Sequence, residues 1–354
     1  MGRVTDLYTA SILISIVTMR MYPVELGNHM SPLSPNHYTS SQKHHQERQR
    51  LFRDSWLLAG HISQLGTNTQ LALNIAGIPI VLWRTKTELK AFANMCRHRG
   101  APLVWEGERQ RGTKLRCRYH GWTYDDTGTL VNNTDFGDPC QRLQLHNLQV
   151  WNEYGWIFVA WNQQTIAPKE IYPTLFKNIS GMEEWTVRST QRHTLKCNWK
   201  VYVENYLEGY HIPYLHPSLT KEISMSSYRV VIREREMEHR VDTKEGTTSE
   251  GYWAYCWPNL AVNKYSDGVS MERILPMSVN ETVIEYWYLF PPETTQEQVD
   301  KAIHLSHQIT LEDIQVVEAI QVSMESGLYE PGPLSPKHEH GLDAFQNWVE
   351  ECLV

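Results

Sequence analysis

From Trp56 to about Trp161 the apolar positions come in short runs broken by turn residues, the pattern of an all-β unit. Ile78-Pro-Ile-Val-Leu-Trp-Arg84 predicts a strand and Thr85-Lys-Thr-Glu88 a turn. Asp125-Asp-Thr-Gly128 predicts a second turn, and Tyr154–Trp161 a strand buried on at least one face. Pro168 to Pro173 reads as a linker, and beyond it the pattern mixes. Trp199–His211 reads as helix, and Val283–Phe290 as a strand stopped by Pro291-Pro292. Thr295–Met324 predicts a long helix, with Ile303, Ile309, Ile314, Val317 and Met324 near helical spacing. The expected class is α+β, without an internal repeat. Arg233–Lys244, a mixed charge run, predicts a solvated edge or loop.

The ends differ from the body. Tyr8–Val17 is apolar but too short to span a bilayer. It resembles a weak signal-peptide core, yet only Arg3 stands against Asp6 before it and no Ala-x-Ala site follows. The expectation for residues 1–50 is an extension ordered poorly in part, or an overlong start for which Met30 would serve. Ordered chain is expected from Leu51-Phe52. His338 and His340 are read as a solvated tail patch.

Composition narrows the function classes. The chain has 354 residues, 41% apolar and 21% charged, enough for a core without disulfide support and for about two domains. Lys and Arg number 33 against 40 Asp and Glu, a net charge of −7. No basic stripe suits nucleic acid, and no 18-residue apolar run suits a membrane span. The six cysteines (96, 117, 140, 197, 256 and 352) have no disulfide-framework spacing, so a reducing compartment, the cytoplasm, is expected. Cys140, Cys197, Cys256 and Cys352 are assigned to ordinary packing. Aromatics are unusual: 13 Trp and 18 Tyr against 7 Phe. Such residues fill cores, and they also bind flat or cationic ligands.

Two segments carry metal chemistry. Cys96-Arg-His98 is followed, after 18 intervening residues, by Cys117-Arg-Tyr-His120. Cys2His2 suits tetrahedral zinc. Here, though, each loop supplies one Cys and one His, which suits a [2Fe–2S] cluster with one iron on two thiolates and the other on two imidazoles. Gly100 and Gly121-Trp122 flank the pairs, and glycine lets backbone approach sulfur closely. The second segment is Glu204-Asn-Tyr-Leu-Glu-Gly-Tyr-His211-Ile-Pro-Tyr-Leu-His216. Glu208 and His211 would share a helix face. Pro213 then breaks the helix and lets His216 swing back. Two histidines and a distant carboxylate would make a two-His–one-carboxylate site for Fe(II). Asp313 is the chosen third ligand, with Glu312 the alternative.

Cys96-Arg-His-Arg-Gly100 and Cys117-Arg-Tyr-His-Gly-Trp122 resemble the cluster loops of the Rieske non-haem iron oxygenases, alpha (oxygenase) subunit. Arg97 and Arg118 stand where many relatives carry Pro; two cations there should favour the reduced cluster. The resemblance runs from about residue 38 to the C terminus. It implies an N-terminal all-β Rieske [2Fe–2S] domain (51–165) and a helix-grip (START-like) catalytic domain (166–354) with an antiparallel sheet and a long C-terminal helix. It implies Fe(II) on His211, His216 and Asp313, and a catalytic pair of Asn205 and Glu208, with Glu208 outside the ligand set. It also implies a head-to-tail homotrimer in which the cluster of one subunit serves its neighbour's iron along His120, Glu208 and His211.

No Gly-x-Gly-x-x-Gly follows a strand, so electrons are expected from a separate NAD(P)H-dependent flavin or iron–sulfur reductase. With Glu at 208, where many ring-hydroxylating members carry Asp, the segment resembles the choline, carnitine, glycine betaine and stachydrine oxygenases. That implies monooxygenation of a small quaternary ammonium compound with O2: N-demethylation through an unstable hemiaminal, or, for choline, oxidation at the alcohol carbon. The aromatic cage candidates are Tyr206, Trp253, Tyr255, Trp257, Trp287 and Tyr288. The alternative is a ring-hydroxylating dioxygenase forming cis-diols.

Overall fold

Strands β1 (Leu57–His61), β2 (Thr69–Ile75) and β3 (Ile78–Arg84) begin the first sheet. Ala76 and Gly77, both at positive φ (52° and 76°), close β2 onto β3 in a two-residue turn. A Cβ on Gly77 would overlap the Arg48 guanidinium, whose Nε donates to Ala76 O at 2.9 Å. The structure, a computed structural model, describes residues 33–133, 135–136, 143–241, 251–265 and 268–353. Cys140 and Tyr8–Val17 lie outside them.

β4 (Leu89–Ala93), β5 (Arg109–Arg111), β9 (Asn147–Glu153) and β10 (Trp156–Ala160) complete an antiparallel sheet of order β1-β10-β9-β4-β3-β2-β5. A small sheet of β6 (Leu115–Arg116), β7 (Thr123–Tyr124) and β8 (Leu130–Asn132) carries the second Cys–His loop. The expected linker is two short helices, α3 (Pro168–Ile171) and α4 (Pro173–Ile179), each with proline at its first position, where the missing N–H costs nothing.

The second antiparallel sheet contains β11 (Thr186–Leu195), β12 (Arg229–Ile232), β13 (Glu236–Arg240), β14 (Tyr252–Cys256), β15 (Leu260–Tyr265), β16 (Gly268–Ser278) and β17 (Glu281–Phe290). Its order is β11-β17-β16-β15-β14-β13-β12. One face packs on the first unit: Met271, Trp287 and Leu289 share a buried cluster with Leu58, Trp156 and Phe158. The other face is covered by α5 (Trp199–Tyr206), the 30-residue α8 (Gln296–Glu325) and α9 (His340–Leu353). Thr295 and Gln298 cap α8 reciprocally, satisfying two first-turn N–H groups. The result is α+β in the expected order of units.

Several expectations change. Order begins well before Leu51, with α1 (Asn36–Thr39), α2 (Ser41–Glu47) and a π turn at Arg48–Phe52. The polar sequence concealed this because its polar groups are the buried ones. Glu47, fully buried, meets Lys200 Nζ at 2.6 Å and Trp199 Nε1 at 2.8 Å, and Tyr38 OH donates to Glu204 at 2.6 Å. The described part of the Arg233–Lys244 run is not a solvated edge or loop but the turn and second strand of the β12–β13 hairpin, with β13 paired on both sides. Glu236 is fully buried, accepting the Thr174 and Leu175 N–H groups at the start of α4. His340 bonds Val230 O at 3.0 Å and His338 stacks on Tyr210, so neither is simply solvated.

Candidate metal centres and cavity

The two Cys–His loops are near copies. In each, the glycine N–H returns to the cysteine carbonyl (Gly100 to Cys96 and Gly121 to Cys117, both 2.9 Å), and both glycines sit at positive φ. Cys96 and Cys117 are buried free thiols. Burial pushes the Cys96 thiol up, and Tyr124 OH, 3.3 Å from its sulfur, draws it down. The His98 and His120 rings lie 4.6 Å apart, and His98 stacks on Trp122. His98 Nδ1 is buried with no hydrogen-bond partner among the described residues. A buried thiol pair and an orphaned imidazole nitrogen are costly alone and suit an iron–sulfur cluster. His120 and Tyr119 face solvent at the loop tip.

The helix expected over Trp199–His211 ends at Tyr206. The Glu208 carboxylate takes the Tyr210 and His211 N–H groups, which competes with helical bonding. Glu208 and His211 therefore meet through a turn, Oε1 to Nδ1 at 2.5 Å. His216 follows the short helix α6 (Ile212–Leu215) and precedes α7 (Pro217–Glu222).

Asp313, from the middle of α8, completes the constellation. Its Oδ1 lies 3.0 Å from His216 Nε2 and 3.7 Å from His211 Nε2, and the three ligand atoms all fall within 4.8 Å of one another. Glu312 instead bonds His216 Nδ1 at 2.7 Å. Each histidine thus has Nδ1 held by a carboxylate and Nε2 turned toward Asp313, the outer support a metal-binding imidazole needs. Burial pulls His216 down, but Asp313 and Glu312 outweigh it and its pKa is raised. A proton shared among these groups is what a metal ion would replace, so the donor set fits a mononuclear divalent iron.

A cavity opens on this trio between the inner sheet face and α5 and α8. Of the cage candidates, Tyr206 and Trp253 line it. Tyr206 OH is fixed by Ala254 O, Val262 O and Asn263. Tyr255, on the Trp253 face of β14, and Trp257, just past its end, are packed instead on Phe345 of α9. Trp287 points to the opposite face, under Arg273 and bonded to Gln64. Tyr288 is tied to Gln191 and Ser306 and does not line the cavity. Sequence reasoning missed Tyr202, Tyr228, His239, Tyr265, Glu272 and Tyr286. Tyr202 could have been found, standing one helical turn before Tyr206; the strand residues needed the sheet register.

Residues 55–146 match the Rieske [2Fe-2S] domain family, and residues 182–354 match the ring hydroxylating alpha subunit catalytic domain. The chain belongs to the Rieske-type oxygenases: it is an oxidoreductase with a [2Fe–2S] domain and a mononuclear-iron catalytic domain. It is 25% identical over 340 residues to the chloroplastic choline monooxygenase of Beta vulgaris, covering 89% of this chain and 76% of that one. It is 26% identical over 345 residues to the carnitine monooxygenase oxygenase subunit of Acinetobacter pittii (strain PHEA-2), covering 89% and 92%. A solved quaternary ammonium Rieske monooxygenase, described in terms of carnitine oxidation and inter-subunit electron transfer, superposes with TM-score 0.83 at 21% identity, covering 95% and 100%. Among the described residues, no helix is long and apolar enough to cross a membrane.

Proposed function

We propose that this chain is the oxygenase component of a monooxygenase that oxidises a small quaternary ammonium compound. The observation that carries this reading is the cavity. Tyr202, Tyr206, Trp253 and Tyr286 line the space beside His211, His216 and Asp313. A quaternary ammonium has no N–H to donate, so aromatic faces are its natural partners. The relatives' substrates, choline and carnitine, belong to that chemical class.

In this reading Cys96, His98, Cys117 and His120 hold the cluster, and His211, His216 and Asp313 hold Fe(II). The bound metals would supply dioxygen activation and single electrons. The chain's own residues position. Glu208 and Glu312 fix the His211 and His216 tautomers, Asn205 orients Asp313, and the aromatic walls hold the ammonium and limit water. Solvent-facing His120 suits delivery across a subunit interface to Glu208 and His211 of a neighbour, in a head-to-tail homotrimer. A separate NAD(P)H-dependent reductase would feed the cluster.

The test supplies the iron-loaded chain and a surrogate reductase with choline, carnitine, glycine betaine, stachydrine and an arene. Formaldehyde, or an aldehyde from choline, is expected. A cis-diol from the arene with no product from the ammonium compounds would make the chain a ring-hydroxylating dioxygenase.

A further inference from the structure

We propose that Glu272 sets the charge preference of the cavity, selecting a substrate of net positive charge, a trimethylammonium alcohol of the choline kind, over a carboxylated betaine. The proposal rests on the quaternary ammonium reading above and narrows it.

Glu272 lies on β16 opposite Tyr286 of β17, and only 1% of it is exposed. It lines the same cavity as His211, His216 and Asp313. Ser270 lines the cavity from the same face of β16, whereas Arg273 points through the sheet to Glu285 and to Leu58 O. The nearest basic residue in sequence is thus committed elsewhere. Glu272 Oε1 is buried with no hydrogen-bond partner among the described residues. Burial pushes its carboxyl up to about 7, the Tyr202 and Tyr286 phenols draw it down, and Asp313 raises it further.

A buried carboxylate without a counter-cation is expensive, and a bound cation removes that cost. A quaternary ammonium, with carbon on all four bonds to nitrogen, suits this oxygen, because it brings charge without needing a hydrogen bond. The Tyr202, Tyr206 and Tyr286 rings supply the remaining contact. A betaine brings a carboxylate as well. Among the described lining residues no Lys or Arg would receive it. Burial holds His239 neutral by pulling its pKa to about 3. The second carboxylate would face Glu272, Asp313 and Glu208 unpaired, which is discrimination by an unfavourable contact. A choline hydroxyl needs only neutral partners, and Asn263, Ser270 and Thr310 are in the lining.

The test is calorimetric binding to the metal-loaded full chain of choline, glycine betaine and 3,3-dimethylbutan-1-ol, the uncharged isostere of choline. Native protein is expected to bind choline at least ~10-fold more tightly than either competitor. Glu272→Gln should weaken choline by ~10-fold and leave the isostere within about twofold. Glu272→Asp should keep the preference for choline. If Glu272→Gln does not fold, judged by circular dichroism, Glu272→Met serves and should show the same loss. A native preference for glycine betaine, or a choline-to-isostere ratio unchanged by losing the charge, overturns the proposal. If native protein binds an arene and none of the ammonium compounds, the wider reading falls with it; if it binds ammonium compounds regardless of Glu272, only the present proposal falls.

Discussion

The Asn205 amide donates to Asp313 Oδ1 across 2.9 Å, joining the last turn of α5 to the middle of α8. That oxygen is the one facing both histidines. Asn205 therefore acts on the site by aiming a carboxylate. Asn205→Ala should weaken retention of mononuclear iron by about 10–100-fold and leave the cluster spectrum unchanged. Chelator competition with iron analysis reads the first, and visible absorption the second. Unchanged iron affinity would remove Asn205 from the supporting shell.

Glu208 has one oxygen on His211 Nδ1 and takes the N–H groups of Tyr210 and His211. Glu208→Gln keeps the shape and removes the charge. Iron content should stay at about three per chain, two in the cluster and one mononuclear. Turnover should fall by about 10–100-fold. Native turnover with full metal content would rule out a role in electron delivery.

The Glu47–Lys200 pair is buried on both sides and joins the N-terminal helices to α5. Burial lowers the Lys200 pKa and Glu47 opposes the shift. Lys200→Met strands a buried carboxylate and should cost about 3–5 kcal/mol in urea unfolding. Glu47→Leu with Lys200→Met should recover most of that loss, since neither charge is then left alone. Equal losses in the single and double variants would show that packing, not charge, dominates there.

Two buried histidines should make a destabilising contribution as the solution is acidified. Burial pulls His44 and His61 from 6.5 to about 4. Between those values the unfolded chain binds more protons than the folded one, so stability rises with pH and is lost as pH falls from about 6.5 toward 4. Replacing both histidines with leucine should flatten the slope of unfolding free energy against pH in that window. An unchanged slope would assign the acid response to other groups.

Much of the chemistry was legible in sequence because it is carried by short, local patterns. Cys-x-His and Cys-x-x-His each place two candidate ligands on one loop, and a loop's internal bonds need no distant partner. The long helix was legible from its apolar spacing and from Thr295 and Gln298 at its start. The N-terminal helices were not, because the Glu47 and Tyr38 partners lie more than 150 residues away and polar residues read as solvent-facing.

Sequence alone therefore determined the candidate ligand types, the two units in their order, and the helix that brings Asp313. Only the tertiary structure decided between Asp313 and Glu312 as the residue facing both histidines. It also separated Tyr206 and Trp253 from Tyr255, Trp257, Trp287 and Tyr288, and it exposed Glu272. The reason is geometric. Adjacent residues on a helix point about 100° apart, and neighbours on a strand point to opposite faces. Which direction is inward depends on how elements far apart in the chain are stacked.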